Sequence, residues 1–190
     1  MDRARSYEQL VSLSGGVNII PHAFPFHGHK QKAEGVVDSS CLSQWYPCVF
    51  IFNGIQYNCA EQFMMACKAN FFGDHASLKL ILASSDPNEQ KKIGRRVTPF
   101  DVEKWNHYGQ MYVILGNLCK FTQNEPLQRF LLSTMPSVLI EASPRDTIWG
   151  VGRGADNARD LSLWRGKNLL GFALMEVRQR IIDFPHLYYA

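Results

Sequence analysis

The sequence predicts an α+β fold: a predominantly helical single domain with a β-hairpin and short strands. Three observations predict it. A length of 190 residues with 46% hydrophobic content suits one globular core. Val49-Phe50-Ile51-Phe52 and Ile55-Gln56-Tyr57 flank Asn53-Gly54, and Asn-Gly between apolar runs is a strong hairpin signal because both residues tolerate positive φ. Apolar residues recur at helical spacing along most of the remaining chain, so helical segments outnumber strands.

Each element follows in order. Residues 1–35 lack strong periodicity and carry Gly15-Gly16, Pro21, Pro25 and Gly28. They are expected to form an extended, partly disordered arm, with the domain spanning residues 36–190. Asn58 is expected to cap a helix that ends near Gly73. A second helical stretch covers Asp74 to Ala83. Asp86-Pro87 opens a third, which runs to about Arg95. Asp101 to about Phe121 is long and periodic, with Val102, Trp105, Tyr108, Tyr112, Leu115 and Leu118 as candidate buried positions. Glu125-Pro126 starts a shorter helix through Leu132. Val138 to Ala142 reads as a short strand, Pro144 to Gly166 as irregular chain. Leu169 to about Asp183 reads as a closing helix with Leu170, Ala173, Leu174 and Val177 inward. No internal repeat is visible.

Composition excludes several classes of function. No apolar run reaches the roughly 18 residues of a membrane span, and Met1-Asp2-Arg3-Ala4-Arg5-Ser6 is followed by no signal core. The five cysteines are odd in number and lack Cys-x-x-Cys spacing. That pattern fits reduced thiols inside a cell, in cytoplasm or nucleus, better than disulfides or a zinc site. His27 and His29 stand in a Gly/Pro/Lys-rich stretch and suggest no metal; a surface position suits them. A net charge of +3 does not mark a nucleic-acid binder by itself. Lys91-Lys92-Ile93-Gly94-Arg95-Arg96 packs four cations into six residues; it is either a solvated helix end or a phosphate contact.

The segment Asn58 to Lys68 carries the sharpest functional signal. Glu61 and Lys68 stand seven residues apart, two helical turns, and so share a face. Their neighbours Phe63, Met64, Met65, Ala66 and Cys67 are apolar. A carboxylate and an amine on a helix that buries itself cost free energy, and active sites use such arrangements to tune acids and nucleophiles. Two blander readings compete. Asn58 and Glu61 match a capping box, with Glu61 bonding backbone amides, and Lys68 can snorkel to solvent.

The loop from Ser143 to Gly171 is the second cluster. Long irregular loops in compact domains are often functional, and Trp149 and Trp164 argue against disorder. Either indole can stack on a base. Asp146 can bind a sugar hydroxyl, and the helix start at Asn168 can receive a phosphate. The alternatives are tryptophans serving as core pegs and Asn168 as a plain N-cap.

The residues resemble the NADAR, or YbiA-like, domain family. The matching stretches are Ser43-Gln44-Trp45, Tyr57 to Met65, Lys68-Ala69, Gly94-Arg95, Trp105, Gly116 to Phe121, Glu141 to Pro144, Asp146 to Gly150 and Trp164 to Gly171. They cover roughly Cys41 to Arg180, in order. The resemblance implies an N-glycosidase acting on ribose derivatives. One branch of the family removes ADP-ribose from the amino group of guanine in DNA or nucleosides. The other hydrolyses phosphoribosylamino-pyrimidine intermediates of riboflavin synthesis. The Ser-Gln-Trp-Tyr-Pro and Asp-Thr-Ile-Trp-Gly forms look nearer the first. By resemblance, Glu61 is the general acid/base and Lys68 a Schiff-base nucleophile, or a group that tunes Glu61 or binds phosphate. Ser43, Gln44, Trp45, Arg95, Trp105, Asp146, Trp149, Gly150, Lys167 and Asn168 are the binding residues, with Arg95 the leading phosphate ligand. The expected partner is ADP-ribosylated guanine in nucleic acid or nucleoside, with ADP-ribose as product, and no membrane, metal or cofactor is implied. Cys59 departs from the Ser or Thr frequent in riboflavin-linked members. A non-catalytic ADP-ribose reader and an antitoxin-like protein binder remain as other classes.

Overall fold

The computed structural model describes residues 1–185. In chain order the elements are α1 (Tyr7–Ser14), β1 (Ala23–Phe26), β2 (Phe50–Phe52), β3 (Ile55–Tyr57), α2 (Ala60–Phe71), α3 (His75–Ala83), α4 (Pro87–Gly94), α5 (Val102–Thr122), α6 (Glu125–Ser133), β4 (Val138–Glu141) and α7 (Leu169–Asp183). Single 3-10 turns cover Ser39–Leu42, Ala155–Asn157 and Leu161–Leu163. The helical α+β class is therefore as the sequence predicts. Two compact units can be described: Gln44–Asn124, and Met1–Ser43 together with the chain from Glu125 on.

The continuous unit is built around α2. The β2–β3 hairpin turns through Asn53 (φ 49°) and Gly54 (φ 77°), both in the left-handed region that a tight hairpin requires. It lays Phe50 and Tyr57 together, ring centroids 5.7 Å apart, and Phe63 of α2 meets Tyr57 edge-on at 5.0 Å. Asp74 caps α3, and Asp86 caps α4 as expected, each accepting a first-turn amide, and Pro87 opens α4. Buried Gln62 donates to the carbonyls of Ile81, Leu82 and Ser84. One side chain thus caps the C-terminal end of α3, sharing the Ser84 carbonyl with Asn58 and Gln90.

Two local expectations are corrected here. The N-cap of α2 is Cys59, not Asn58: the Cys59 sulfur accepts from the Gln62 amide at 3.4 Å, and Gln62 Oε1 reaches back to the Asn58 amide at 2.8 Å. The reciprocal pair sits one residue later than the Asn58–Glu61 box, because the Asn58 oxygen accepts from Gln90 Nε2 instead and its Nδ2 donates to the Ser84 carbonyl. Glu61 consequently lies in the first turn without serving as the N3 capping partner. The second correction concerns α5. Its buried stripe is Gly109, Val113, Gly116, Asn117, Lys120 and Phe121, whereas Val102 and Tyr108 are exposed. Close packing decides this: a Cβ on Gly116 would stand 2.6 Å from Phe63 Cδ1, so the helix approaches α2 along its glycines.

In the other unit, β1 pairs in parallel with β4, from Ala23 opposite Val138 to Phe26 opposite Glu141. The α7 helix covers β4, with Leu170, Ala173, Leu174 and Val177 buried as expected. Arg178 on α7 is also buried, donating to Thr134 Oγ1 at 2.7 Å and the Ser137 carbonyl at 2.9 Å. Residues 1–35, expected as an extended arm, instead hold α1 and β1 and bury Ala4, Leu10, Ile20 and Phe26. The signal missed is Ser6, which caps α1, with Gly15 (φ 60°) closing it. Among the described residues no helix is long and apolar enough to cross a membrane, and all five cysteines are free thiols.

Candidate active site

The α2 helix buries both of its charged residues of interest. Glu61 is 6% exposed and Lys68 8%, so Lys68 does not snorkel. Seven residues of helix separate their Cα atoms by about 10 Å along the axis. Lys68 Nζ donates to the Gly94 carbonyl at 2.7 Å and lies 4.1 Å from the Phe100 ring centroid and 5.8 Å from that of Trp105. Gly94 is required there, since a Cβ would collide with the Met65 side chain. Burial holds the Lys68 pKa below the ordinary 10.5. A lowered pKa enlarges the fraction of neutral, nucleophilic amine.

Around Glu61 the polar groups are buried and connected. The Glu61 amide donates to the Gln44 carbonyl at 2.9 Å. Gln44 Oε1 accepts from Asn117 Nδ2 at 2.7 Å, and Asn117 also bonds the Val113 carbonyl. Gln44 Nε2 and Asn117 Oδ1 are buried without a hydrogen-bond partner. Native proteins leave few such atoms unmatched, so a water, an ion or a ligand is the expected partner. Lys120, one turn beyond Asn117, is 0% exposed, with its Nζ 5.6 Å from the Tyr46 ring centroid. Neither Asn117 nor Lys120 was singled out as a site residue from the sequence. The available signal was their i, i+3 spacing as polar residues in a long apolar-patterned helix.

The predicted binding residues fall into both units. In the Gln44–Asn124 unit, Gln44 lies beside Glu61, and Trp105 beside Lys68. Trp105 also stacks on Tyr112 at 5.9 Å. Trp45 is half-buried with Lys91 Nζ 5.6 Å over its ring, so Lys91 is more than a distant surface charge. Arg95 caps the end of α4 and is exposed, next to the carbonyl that holds Lys68.

In the other unit, Ser43 closes a 3-10 turn, its amide bonded to the Ser40 carbonyl. Asp146 Oδ1 accepts the amides of Ile148 and Trp149, so one oxygen braces the loop. Trp149 is half-buried, and Gly150 packs its α-carbon where a Cβ would stand 2.8 Å from the Glu141 carbonyl. Lys167 is exposed. Asn168 is the α7 N-cap at φ 53°, but its side chain serves β4, accepting from the Glu141 amide at 2.9 Å and donating to the Leu139 carbonyl at 2.9 Å. The first α7 amides are taken by the Ile148 and Trp149 carbonyls. The helix start is therefore less available to a phosphate than the sequence suggested. Trp164 is a peg, donating to the Ala158 carbonyl and lying 5.9 Å from Tyr7 of α1. His27, expected on the surface, is more than half exposed, yet its Nδ1 lies 3.1 Å from Glu141 Oε1.

Residues 26–182 match the profile of the NADAR domain. The chain belongs to the NADAR family. Among its relatives, N-glycosidase R617 of Acanthamoeba polyphaga mimivirus is 41% identical over 161 residues, covering 81% of this chain and 93% of that protein. Protein irg-1 of Caenorhabditis elegans is 34% identical over 131 residues, 67% of this chain and 62% of that protein. The NMR structure of Escherichia coli YbiA shares the fold, with a TM-score of 0.68, 21% identity, and coverage of 92% of this chain and 94% of that one. Several NADAR relatives thus carry the name N-glycosidase.

Proposed function

We propose that this chain is an N-glycosidase that releases ADP-ribose from the exocyclic amino group of ADP-ribosylated guanine, in nucleic acid or nucleoside. The observation that carries the reading is the burial of Glu61 and Lys68 on one helix of a NADAR-family chain. The unmatched carboxamide atoms of Gln44 and Asn117 beside Glu61 support a ligand that hydrogen-bonds there.

The chemistry follows from the residue types. The net reaction adds water across the bond between the sugar C1 and the amine nitrogen. The leaving amine needs a proton, and Glu61 supplies it as general acid, then recovers one from water. In the covalent version the sugar ring opens to an imine between C1 and the guanine nitrogen. The neutral Lys68 amine adds to C1, and guanine leaves with its nitrogen protonated through Glu61. Water then hydrolyses the Lys68 imine, and the freed C1 aldehyde recloses the ribose. The lowered Lys68 pKa and the Phe100 and Trp105 rings around its amine support this role. Trp45 and Trp105 offer faces for the base, Arg95 a charge for phosphate, and Ser43, Asp146, Trp149, Gly150, Lys167 and Asn168 complete the proposed set.

The test is a hydrolysis assay of wild type and Glu61→Gln on ADP-ribosyl-guanine DNA, alongside a phosphoribosylamino-pyrimidine. Release of ADP-ribose, abolished in the variant, supports the proposal. Turnover of the pyrimidine alone moves the protein to riboflavin metabolism. ADP-ribose binding without turnover of either substrate makes it a reader domain. Borohydride with substrate tests the covalent version, which fails if no adduct forms on Lys68.

A further inference from the structure

Lys120 is a wholly buried cation that the chemistry above does not use. It stands in the middle of α5 at 0% exposure, and a buried ammonium persists only when an anion or a set of acceptors compensates it. Within the Gln44–Asn124 unit, the buried side chains that carry charge are Glu61, Lys68 and Lys120. Lys68 is turned to the Gly94 carbonyl and the Phe100 ring. Glu61 is the carboxylate of that group.

Three further observations link Lys120 and Glu61 through shared neighbours. Gln44 ties them together: its carbonyl takes the Glu61 amide, and its side chain takes Asn117, one turn before Lys120 on the same stripe of α5. The Lys120 ammonium lies 5.6 Å from the ring of Tyr46, two residues after Gln44. Lys120 acts electrostatically on the Cys48 thiol, while Glu61 and Cys48 both act on the Cys59 thiol.

We propose that Lys120 is the positioning residue of the reaction, orienting the Glu61 carboxyl from α5 and favouring its carboxylate form between proton transfers, while Lys68 on α2 stays available for the sugar. This rests on Glu61 being the acid/base of the proposed N-glycosidase. The division of labour separates two lysines of one site. Burial lowers the pKa of Lys68, while Lys120, beside the Tyr46 and Phe121 rings, serves the Glu61 carboxyl. Burial favours the neutral form of the thiols and the hairpin phenol of this unit. Burial pushes the Cys48 thiol up, Cys59 up to about 11 and the Tyr57 phenol of the hairpin up to about 12. On α4, Lys91 lies over Trp45.

The experiment has two arms. In the first, kcat/KM of wild type, Lys120→Met and Lys120→Arg is followed against pH, with thermal melting to confirm folding. Loss of the ammonium moves the Glu61-controlled limb up by about 1–3 pH units, whether Glu61 acts as acid or base, and Lys120→Arg holds it near the wild-type position. A Lys120→Met chain that is folded and merely slower, with its limbs unmoved, overturns the proposal. The second arm needs no substrate and survives a misfolded Lys120→Met. The Lys120 ε-carbon is titrated by NMR in wild type and Glu61→Gln. Removing the carboxylate is expected to lower the Lys120 pKa; an unchanged titration overturns the pairing even if the enzyme is active. A pairing seen by NMR in a chain without glycosidase activity sinks the proposed function and leaves the contact standing.

Discussion

Replacing Gly116 with Ala tests the spacing on which the site depends. The added methyl would lie 2.6 Å from Phe63 Cδ1 and 3.2 Å from Cε1, well inside ordinary carbon contact. Phe63 cannot swing away, because Phe50, Phe52 and Tyr57 surround its ring with centroids at 5.9, 5.4 and 5.0 Å. Overpacking of this kind costs about 1–3 kcal/mol. Exchanging a helical Gly for Ala returns at most about 1 kcal/mol through backbone entropy. The net expectation is destabilisation of roughly 1–2 kcal/mol, or a melting temperature lower by about 2–8 °C for a chain of this size. Urea unfolding and calorimetry measure it. The shift of α5 also displaces Asn117 and Lys120, which follow on the same stripe, so the activity assay should register a loss at temperatures where the variant is folded. A Gly116→Ala chain as stable as wild type would refute the argument that α5 approaches α2 along its glycines.

Other expectations follow from single contacts. Asn168→Ala removes two buried hydrogen bonds and puts at φ 53° a residue less tolerant of the left-handed region than Asn; a cost of about 2–5 kcal/mol in urea unfolding is expected, and a near-neutral result would contradict the account of the α7 start. Lys68 gives a pH signature. Its folded pKa lies below the unfolded 10.5, so the unfolded chain binds more protons between those two values, and the stability of wild type relative to Lys68→Met should rise with pH up to about 10.5; parallel stability curves would remove the depressed lysine. Burial pushes Cys67 up to about 12 and Cys59 up to about 11 from 9.0. A thiol reagent at pH 8 should therefore label both at least a hundredfold more slowly than in urea, on the order set by two pKa units of thiolate; rapid native labelling of either would contradict this. The same shifts work against stability as pH rises above 9, because those thiols ionise first in the unfolded chain.

Much of the fold was legible because its signals are local. Asn53-Gly54 demands positive φ, Asp74 and Asp86 cap by side-chain geometry, and Leu170, Ala173, Leu174 and Val177 repeat at helical spacing. The α5 face was not legible, for a physical reason. Its buried stripe runs through Gly109, Gly116, Asn117 and Lys120, residues that hydrophobic periodicity counts as breakers or surface, while Trp105, Tyr108 and Tyr112 lie on the flanks and on the exposed face. The α2 cap escaped for a related reason: a Cys sulfur does the work usually given to Ser, Thr or Asn. In the candidate site, Glu61 and Lys68 stood out because charge in an apolar helix is costly. Asn117 and Lys120 obey the same rule but sit in a segment whose buried side was misread. The parallel pairing of β1 with β4 could not be read at all, since nothing local in Ala23–Phe26 names a partner over a hundred positions away.

That pairing bears on how the chain is made. On the ribosome, Met1–Ser43 emerges long before Val138–Glu141, so β1 has no strand to join while the intervening segment is synthesised. Gln44–Asn124 is continuous and holds its own hairpin, helices and polar network. It can complete its core while still tethered, and it then carries the waiting N-terminal segment until the last third of the sequence arrives. The buried acid and both buried lysines belong to the part that finishes first. Stalled nascent chains ending shortly after Asn124 should resist protease across that segment while Ala23–Phe26 is still cut, and equal cleavage of both would show that the two units form only together.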